Sequence, residues 1–424
     1  MKRLKNLFTV CALALAGVAL GVGGGVHAAE KEKDKPPQIT ADVAKPLKAA
    51  QDAMKAKKFD EAIAKLNEAK EAKGKKTDYD NYVINEMMAV SYYSSQQMNN
   101  AAPLLRESAM SQFSTPDQTK QFLMAAMGIY YQQKNYPEVL ATGQEIIKRG
   151  IATNDVYTTM ALSQQAQGKN KEAAQTVQQL IDKQPKPDEK LLAFQWNSYL
   201  KANDPTDAAK VVEQLVKYYP KPDYWLNALS PLLRMQISDA HLQLDVFRLM
   251  NEVGVLTRPG DYSEMAGLAL DQGFPGETVE VLKKAFANNV FTDPRDVARY
   301  QHLLTGAQQR ADTDQKSLPQ QEQQAKSASS GDPLVSVGAA YMTYGQPDKA
   351  VELIEAGIQK GGLKFSDQAQ LLLGMAELHA HKNAEARKAF GEVAKSSNEG
   401  YARLGKLWAL HAESGGTKAE TAKN

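Results

Sequence analysis

The chain has 424 residues, a formal net charge of +2 and a single cysteine. A charge so close to neutral gives no net basic field that would attract nucleic acid or anionic lipid. One cysteine, Cys11, excludes an internal disulfide framework and a thiolate metal cluster.

The N-terminal segment has the composition of a secretory signal peptide. Basic residues precede an apolar run over residues 7–22, and small residues follow it up to Ala28. The sequence predicts a signal peptide over residues 1–28, with cleavage after Ala28 or, alternatively, after Ala29. A retained anchor would need about 18 or more unbroken apolar residues, and glycines interrupt this run. The prediction is therefore export to the periplasm, with a mature formal charge of about −1 and no cysteine.

The composition of the remaining sequence predicts five segments. Residues 29–42 alternate acids with lysines before two prolines, which predicts a flexible leader. A repeat region is predicted over 43–325, and a Ser- and Gly-rich linker over 326–333 separates it from C-terminal repeats over 334–414. The polar residues 415–424 predict a flexible tail.

One short pattern recurs through the chain: a polar turn, an acidic residue and then alanine. It occurs before Ala62, Ala173, Ala350 and Ala386. An acidic residue favours the first turn of a helix because it faces the positive end of the helix dipole. Equivalent markers fall 33 to 39 residues apart, a spacing typical of two-helix repeats. The ten predicted markers are Ala62, Ala101, Val139, Ala173, Ala208, His241, Thr278, Ser317, Ala350 and Ala386.

Small, aromatic and aliphatic residues fall at fixed offsets from these markers. Small residues let two antiparallel helices approach closely, while tyrosines and large aliphatics fill the space beside the crossing. The predicted packing residues are Ala62, Ala89, Tyr92, Tyr130, Ala173, Gly338, Tyr341, Ala350, Gly374 and Ala386. The three tryptophans, at 196, 225 and 408, are expected in the repeat core, with a ligand platform as the alternative.

This pattern resembles the tetratricopeptide repeat (TPR) family over residues 43–414, most clearly from Val337 to Ala350 and from Leu373 to Phe390. The resemblance implies an all-α fold, a right-handed solenoid of about ten TPR-like helix pairs that binds a protein or peptide. The marker is not alanine at His241 and Thr278, and the unit after Asp312 carries Pro319 inside its second helix, so the register of the central repeats stays open.

Three further phrases are similar to a narrower group. Residues 223–229, 251–257 and 360–374 resemble the periplasmic TPR proteins associated with TonB energy-transduction systems. This resemblance implies an accessory component of TonB-dependent transport, with TonB, ExbB, ExbD or an outer-membrane receptor as the partner. The alternative is a TPR adaptor for envelope assembly or the cell wall.

No catalytic motif accompanies the repeats. The sequence has no phosphate-binding glycine loop, no nucleophile elbow and no His-Glu-x-x-His zinc motif. His379 and His381 are two residues apart, and such positions on a helix point in different directions and do not share a metal. We therefore expect a scaffold that is not an enzyme, binds no cofactor or nucleic acid, and does not insert into the membrane after signal cleavage.

The first helix of every pair is expected to line a groove in which side chains recur once per repeat. Amides can pair with a peptide backbone, and tyrosine adds contact area and a hydroxyl. The candidates for this partner groove are Tyr93, Gln132, Gln165, Asn197, Asn227 and Arg234.

Overall fold

The computed structural model describes residues 37–235 and 239–416. All regular structure within these ranges is helical, in twenty helices, so the predicted all-α fold of helix pairs is confirmed. The predicted signal peptide, most of the leader and most of the tail lie outside the described residues. The chain forms two compact units that divide between Pro205 and Thr206.

The first unit contains nine helices that pack in chain order. Their bounds are α1 (Ala41–Lys55), α2 (Phe59–Glu71), α3 (Asp78–Ser94), α4 (Met98–Met110), α5 (Pro116–Gln132), α6 (Tyr136–Lys148), α7 (Asn154–Ala166), α8 (Asn170–Ile181) and α9 (Glu189–Lys201). Each helix contacts the next, and first helices of neighbouring pairs also touch, α1 with α3 and α5 with α7. This is the stacking expected of a solenoid.

The second unit continues the helix pairs but adds contacts between distant elements. Its helices are α10 (Pro205–Tyr218), α11 (Pro222–Met235), α12 (Ala240–Glu252), α13 (Pro259–Asp271), α14 (Pro275–Ala287), α15 (Pro294–Ser327), α16 (Asp332–Thr343), α17 (Pro347–Lys360), α18 (Ser366–His379), α19 (Asn383–Val393) and α20 (Glu399–Glu413). The last helix, α20, contacts α11 and α12 as well as α18 and α19. The last helix of this unit therefore packs against two helices near the start of the unit.

A three-residue turn joins the two helices of a pair, and its middle residue has a positive φ. These residues are Lys57, Gln96, Lys134, Gly168, Asn203, Gly273, Gly345 and His381. Each lies five residues before a predicted marker. The matching markers occupy the fourth position of the second helix and are buried. His381 is therefore a turn residue.

Two of the ten predicted markers are wrong. His241 is the second residue of α12 rather than the fourth and is only half-buried, whereas Leu242 beside it is fully buried. Ser317 lies inside α15, an uninterrupted helix of 34 residues, so no helix pair forms there. Its sequence is rich in Gln, Lys, Arg and Ala, which are good helix formers, and the helix continues through Pro319.

The predicted linker is a short connection within the second unit. Helix α15 ends at Ser327 and α16 begins at Asp332. The backbone N–H of Gly331 donates to the carbonyl oxygen of Gly361 at 2.8 Å, which ties this connection to the end of α17. Across the described part of the chain, no helix is both long enough and apolar enough to cross a membrane.

The turn geometry predicts the effect of a side chain at Gly273. The φ of +84° is disfavoured for a β-branched residue, yet a Cβ there would meet no atom within 4 Å. Gly273→Val should therefore lower the free energy of unfolding by about 1–2 kcal/mol through backbone strain alone. The matched control is Gly267→Ala inside α13, where a Cβ also meets nothing. Urea denaturation should show no loss for that control, and equal losses would contradict the turn assignment.

Candidate functional site

The predicted packing residues lie in the interior of the helix pairs. All ten are buried except Tyr92, which is half-buried. A Cβ on Gly338 would lie 2.6 Å from Cγ1 of Ile354, and one on Gly374 would lie 2.5 Å from Cε1 of Phe390. These glycines allow the first and second helices of a pair to approach closely.

The six predicted groove residues all lie on first helices, but they differ in exposure. Tyr93 on α3 is half-buried and packs against the core, and burial raises the pKa of its hydroxyl. Gln165 on α7 is also half-buried, and its Nε2 donates to the Ser198 hydroxyl of α9 at 3.3 Å. Both residues therefore take part in packing within the first unit.

The other four groove residues are exposed. Gln132 on α5 and Asn197 on α9 belong to the first unit. Asn227 and Arg234 lie on α11 in the second unit, and the Nδ2 of Asn227 donates to the Asp223 carbonyl at 2.7 Å. The predicted set is thus divided between the two units.

Sequence reasoning missed three exposed apolar side chains on the first helices of consecutive pairs. Tyr131 on α5, Leu162 on α7 and Leu200 on α9 are 37%, 38% and 47% exposed. Tyr131 and Leu200 lie eight residues before their markers, and Leu162 lies eleven before its marker, one helical turn away. We call these three residues, with Gln132 and Asn197, the first-helix face. The same register could have identified them, because Tyr93, a predicted groove residue, also lies eight residues before its marker.

The second unit has a charged network at its centre, on helix α12, where eight of thirteen residues are buried. The Nη1 of Arg248 bonds Asp245 at 2.7 Å, and its Nη2 and Nε bond the Glu277 carboxylate of α14 at 2.7 and 2.9 Å. Asp245 also accepts from Nε2 of Gln368 on α18 at 3.3 Å and from the Tyr401 hydroxyl of α20 at 3.4 Å. Burial raises the pKa of Asp245 to about 6, with Arg248 acting against it. The network joins α12 to three other helices.

A second polar cluster lies at the C-terminal end of α12. The Glu252 carboxylate lies 3.6 Å from Nε2 of His379 and 3.7 Å from Nε2 of the fully buried His411. Burial raises the pKa of Glu252, but the two imidazoles outweigh burial and hold that pKa below its usual range. A cavity of about 140 Å³ lies beside Glu252 and Arg248. The residues described contain no cluster of three or more His, Cys, Asp or Glu side chains that could hold a metal ion.

Two segments of the chain match a known repeat family. Two models described as tetratricopeptide repeat match residues 155–187 and 338–402. The chain contains tetratricopeptide repeats. The first match covers α7 and α8, and the second covers α16 to the start of α20. No protein in a search of curated sequences matches the chain.

Solved TPR structures give only distant matches. A tetratricopeptide repeat protein from Parabacteroides merdae is 12% identical, with a TM-score of 0.26, covering 77% of this chain and 98% of that one. Yeast Tom70 is 13% identical, with a TM-score of 0.24 and coverages of 88% and 95%. The TPR2AB domain of yeast Sti1, in its pHSP90 complex, is 12% identical, with a TM-score of 0.23 and coverages of 88% and 98%.

Proposed function

We propose that this chain is a protein-binding scaffold without catalytic activity, and that the first-helix face binds a segment of its partner. The observation that supports this most is the exposure of Tyr131, Leu162 and Leu200 on three consecutive first helices. Exposed apolar side chains that recur in register, next to the amides of Gln132 and Asn197, supply apolar anchors and hydrogen bonds together.

We propose a helical partner for the three apolar side chains, because they recur on first helices that follow one another in the stack. Where two helices pack directly they lie about 8–10 Å apart, and seven residues of an α-helix rise about 10.5 Å and return to nearly the same face. An extended strand covers that distance in about three residues, but its third residue points to the opposite side. We therefore propose an amphipathic helix with apolar residues seven positions apart.

We further propose that the protein acts in the periplasm as an accessory component of a TonB-dependent transport system. Support comes from the signal-type N-terminus and from the three phrases that resemble TonB-associated TPR proteins. The candidate partners are TonB, ExbB, ExbD and an outer-membrane receptor. An envelope-assembly or cell-wall adaptor is the alternative function.

The test measures how tightly a variant of the first-helix face binds purified candidate partners. Leu162→Gln with Leu200→Gln should weaken binding to the purified periplasmic segments of TonB or ExbD by about tenfold, equivalent to about 1.4 kcal/mol. The matched control is Met110→Gln with Val297→Gln, which removes two apolar side chains of similar exposure outside the face. Equal loss in both variants, or none, would argue against the first-helix face.

Cell experiments distinguish the two functions. Under the TonB proposal, crosslinking recovers TonB, ExbB, ExbD or a receptor, and a deletion strain takes up scarce TonB-dependent nutrients more slowly. Recovery of cell-wall or assembly factors alone, with normal uptake, would favour the adaptor. A protein that still begins near Met1 in the inner membrane would reject periplasmic export.

A further inference from the structure

Two histidines meet one carboxylate where the last helix, α20, packs on α12. The Glu252 carboxylate, at the end of α12, lies 3.6 Å from Nε2 of His379 on α18 and 3.7 Å from Nε2 of His411 on α20. We call these three residues the histidine–carboxylate cluster. It lies in the second unit and contains no residue of the first-helix face, so its role is independent of the function proposed above.

His411 forms part of the surface by which α20 packs on the rest of the unit. Its side chain is fully buried, and its ring makes T-shaped contacts with Trp225 of α11 and Trp408 of α20, at centroid distances of 6.2 and 5.9 Å. Phe390 of α19 stacks on the other ring partner, Trp408. A change in the charge of the His411 ring therefore acts directly on the contact between α20 and its neighbours.

The ring nitrogens of His411 form no hydrogen bond in the described structure, and both are shielded from solvent. A neutral imidazole has one N–H donor and one acceptor, whereas the protonated ring has two donors and a positive charge. Protonation thus provides an N–H on Nε2, the atom nearest Glu252, together with a charge that attracts the carboxylate. A movement of about 1 Å would then give a charge-assisted hydrogen bond.

The cluster has other charged neighbours on α12 and α14. They are Asp245, Arg248, Glu277, Glu280, Lys283 and Lys284. Arg248 pairs with two of these acids at 2.7 Å, and Nζ of Lys284 donates to an amide oxygen of α12. Burial raises the pKa of Glu280, and Lys283 acts against it. At Glu252 burial also raises the pKa, but the two imidazoles outweigh burial, so they are the cationic partners of this carboxylate.

Imidazole is the side chain whose charge ordinarily changes between about pH 5 and 8. We propose that the histidine–carboxylate cluster is a pH-sensitive contact, in which protonated His411 pairs with Glu252 and holds α20 against α12. The pair is complete at acidic pH, and it is lost as the pH rises and the proton leaves the ring. His379 lies on the other carboxylate oxygen, so the two imidazoles do not compete for one acceptor atom.

Hydrogen exchange in the full chain tests the contact. After correction for the pH dependence of chemical exchange, peptides from α20 should have an opening constant at least about tenfold smaller at about pH 5.5 than at about pH 8. Peptides from α5 in the first unit serve as the reference and should change less than about twofold. An α20 opening constant that is the same at both pH values would overturn the proposal.

Variants test which residues cause the pH dependence. Glu252→Gln keeps the shape of the side chain but removes its charge, and it should reduce the pH dependence of α20 opening to less than about twofold. His411→Gln should do the same. Because His411 is fully buried and Glu252 is 30% exposed, Glu252→Gln decides if His411→Gln does not fold. The matched control is His302→Gln, at an exposed histidine of α15, which should retain the full dependence. Dependence that survives in Glu252→Gln, or is lost in His302→Gln, would contradict the assignment.

NMR measures the charge of the His411 ring itself. In a chain with ¹³C-labelled histidine, contacts with the rings of Trp225 and Trp408 identify the His411 resonance. This resonance should titrate between about pH 5 and 8, and Glu252→Gln should move its midpoint to lower pH by about one unit or more, because burial disfavours a charged imidazole and a carboxylate favours it. A ring that does not titrate in this range, or an unchanged midpoint in Glu252→Gln, would show that His411 only fills space.

Discussion

Replacing Arg248 by methionine is expected to lower the free energy of unfolding of the second unit by about 3–5 kcal/mol. The Arg248 side chain is 4% exposed and neutralises two carboxylates, Asp245 and Glu277, in the interior. Methionine fills a similar space but leaves both acids without their cation. Urea denaturation followed by the fluorescence of Trp225 and Trp408, both in this unit, would measure the loss. A Trp196→Phe background removes the signal of the first unit.

The control for this variant is another arginine paired with an aspartate three residues away. Arg258 bonds Asp261 at 2.8 Å, but its side chain is 69% exposed. Arg258→Met should cost less than about 1 kcal/mol, because solvent screens such pairs. Comparable losses for the two variants would show that the central network contributes no more than a surface ion pair.

Replacing Gly374 by leucine is expected to cost about 1–3 kcal/mol through overpacking. A Cβ there would lie 2.5 Å from the ring of Phe390, and that ring stacks on Trp408 with centroids 5.3 Å apart. Because Trp408 is itself buried, Phe390 has little freedom to move away. Loss of near-UV circular dichroism at a lower temperature would report the effect.

Gly391 provides the matched control for Gly374. It lies in α19 directly after Phe390, and a Cβ there would meet no atom within 4 Å. Gly391→Ala should leave stability unchanged or raise it by about 0.5–1 kcal/mol, because alanine is the better helix former. If Gly374→Leu melted as the wild-type chain does, the close crossing of α18 and α19 would be wrong.

Local sequence is sufficient to predict the helix pairs where the turn and the marker agree. Ala173 follows Gly168 by five residues, and the glycine adopts the positive φ that ends one helix before the next begins. At Ser317 the equivalent turn position is Asp312, and the helix continues through it. At Ser317 the register failed because no residue in the sequence stopped the helix.

The candidate sites could not be predicted from the repeat periodicity, because they depend on side-chain exposure and on contacts between distant repeats. Exposure of Leu162 or Leu200 is decided by what packs against each first helix. Tyr93 has the same position in its repeat as Leu200, yet Tyr93 packs against the core. A cavity of about 230 Å³ in the second unit is lined by His241, Gln272 and Phe365, which lie on different repeats. Their meeting follows from the way the second unit packs back on its beginning, and no spacing rule predicts it.

The long-range contacts of Asp245 have a consequence for the order in which the molecule folds. Repeats that touch only their neighbours can add to a growing stack one at a time. Asp245 meets residues 123 and 156 positions further along the chain, so the second unit must bring both ends together before its centre is complete. Non-local contacts of this kind slow folding because chain entropy is lost before they form. During synthesis the first unit can fold as it leaves the ribosome. The second unit can complete its fold only after its last helix is made. Until then, the surface of α12 that this helix covers is exposed and can form non-native contacts.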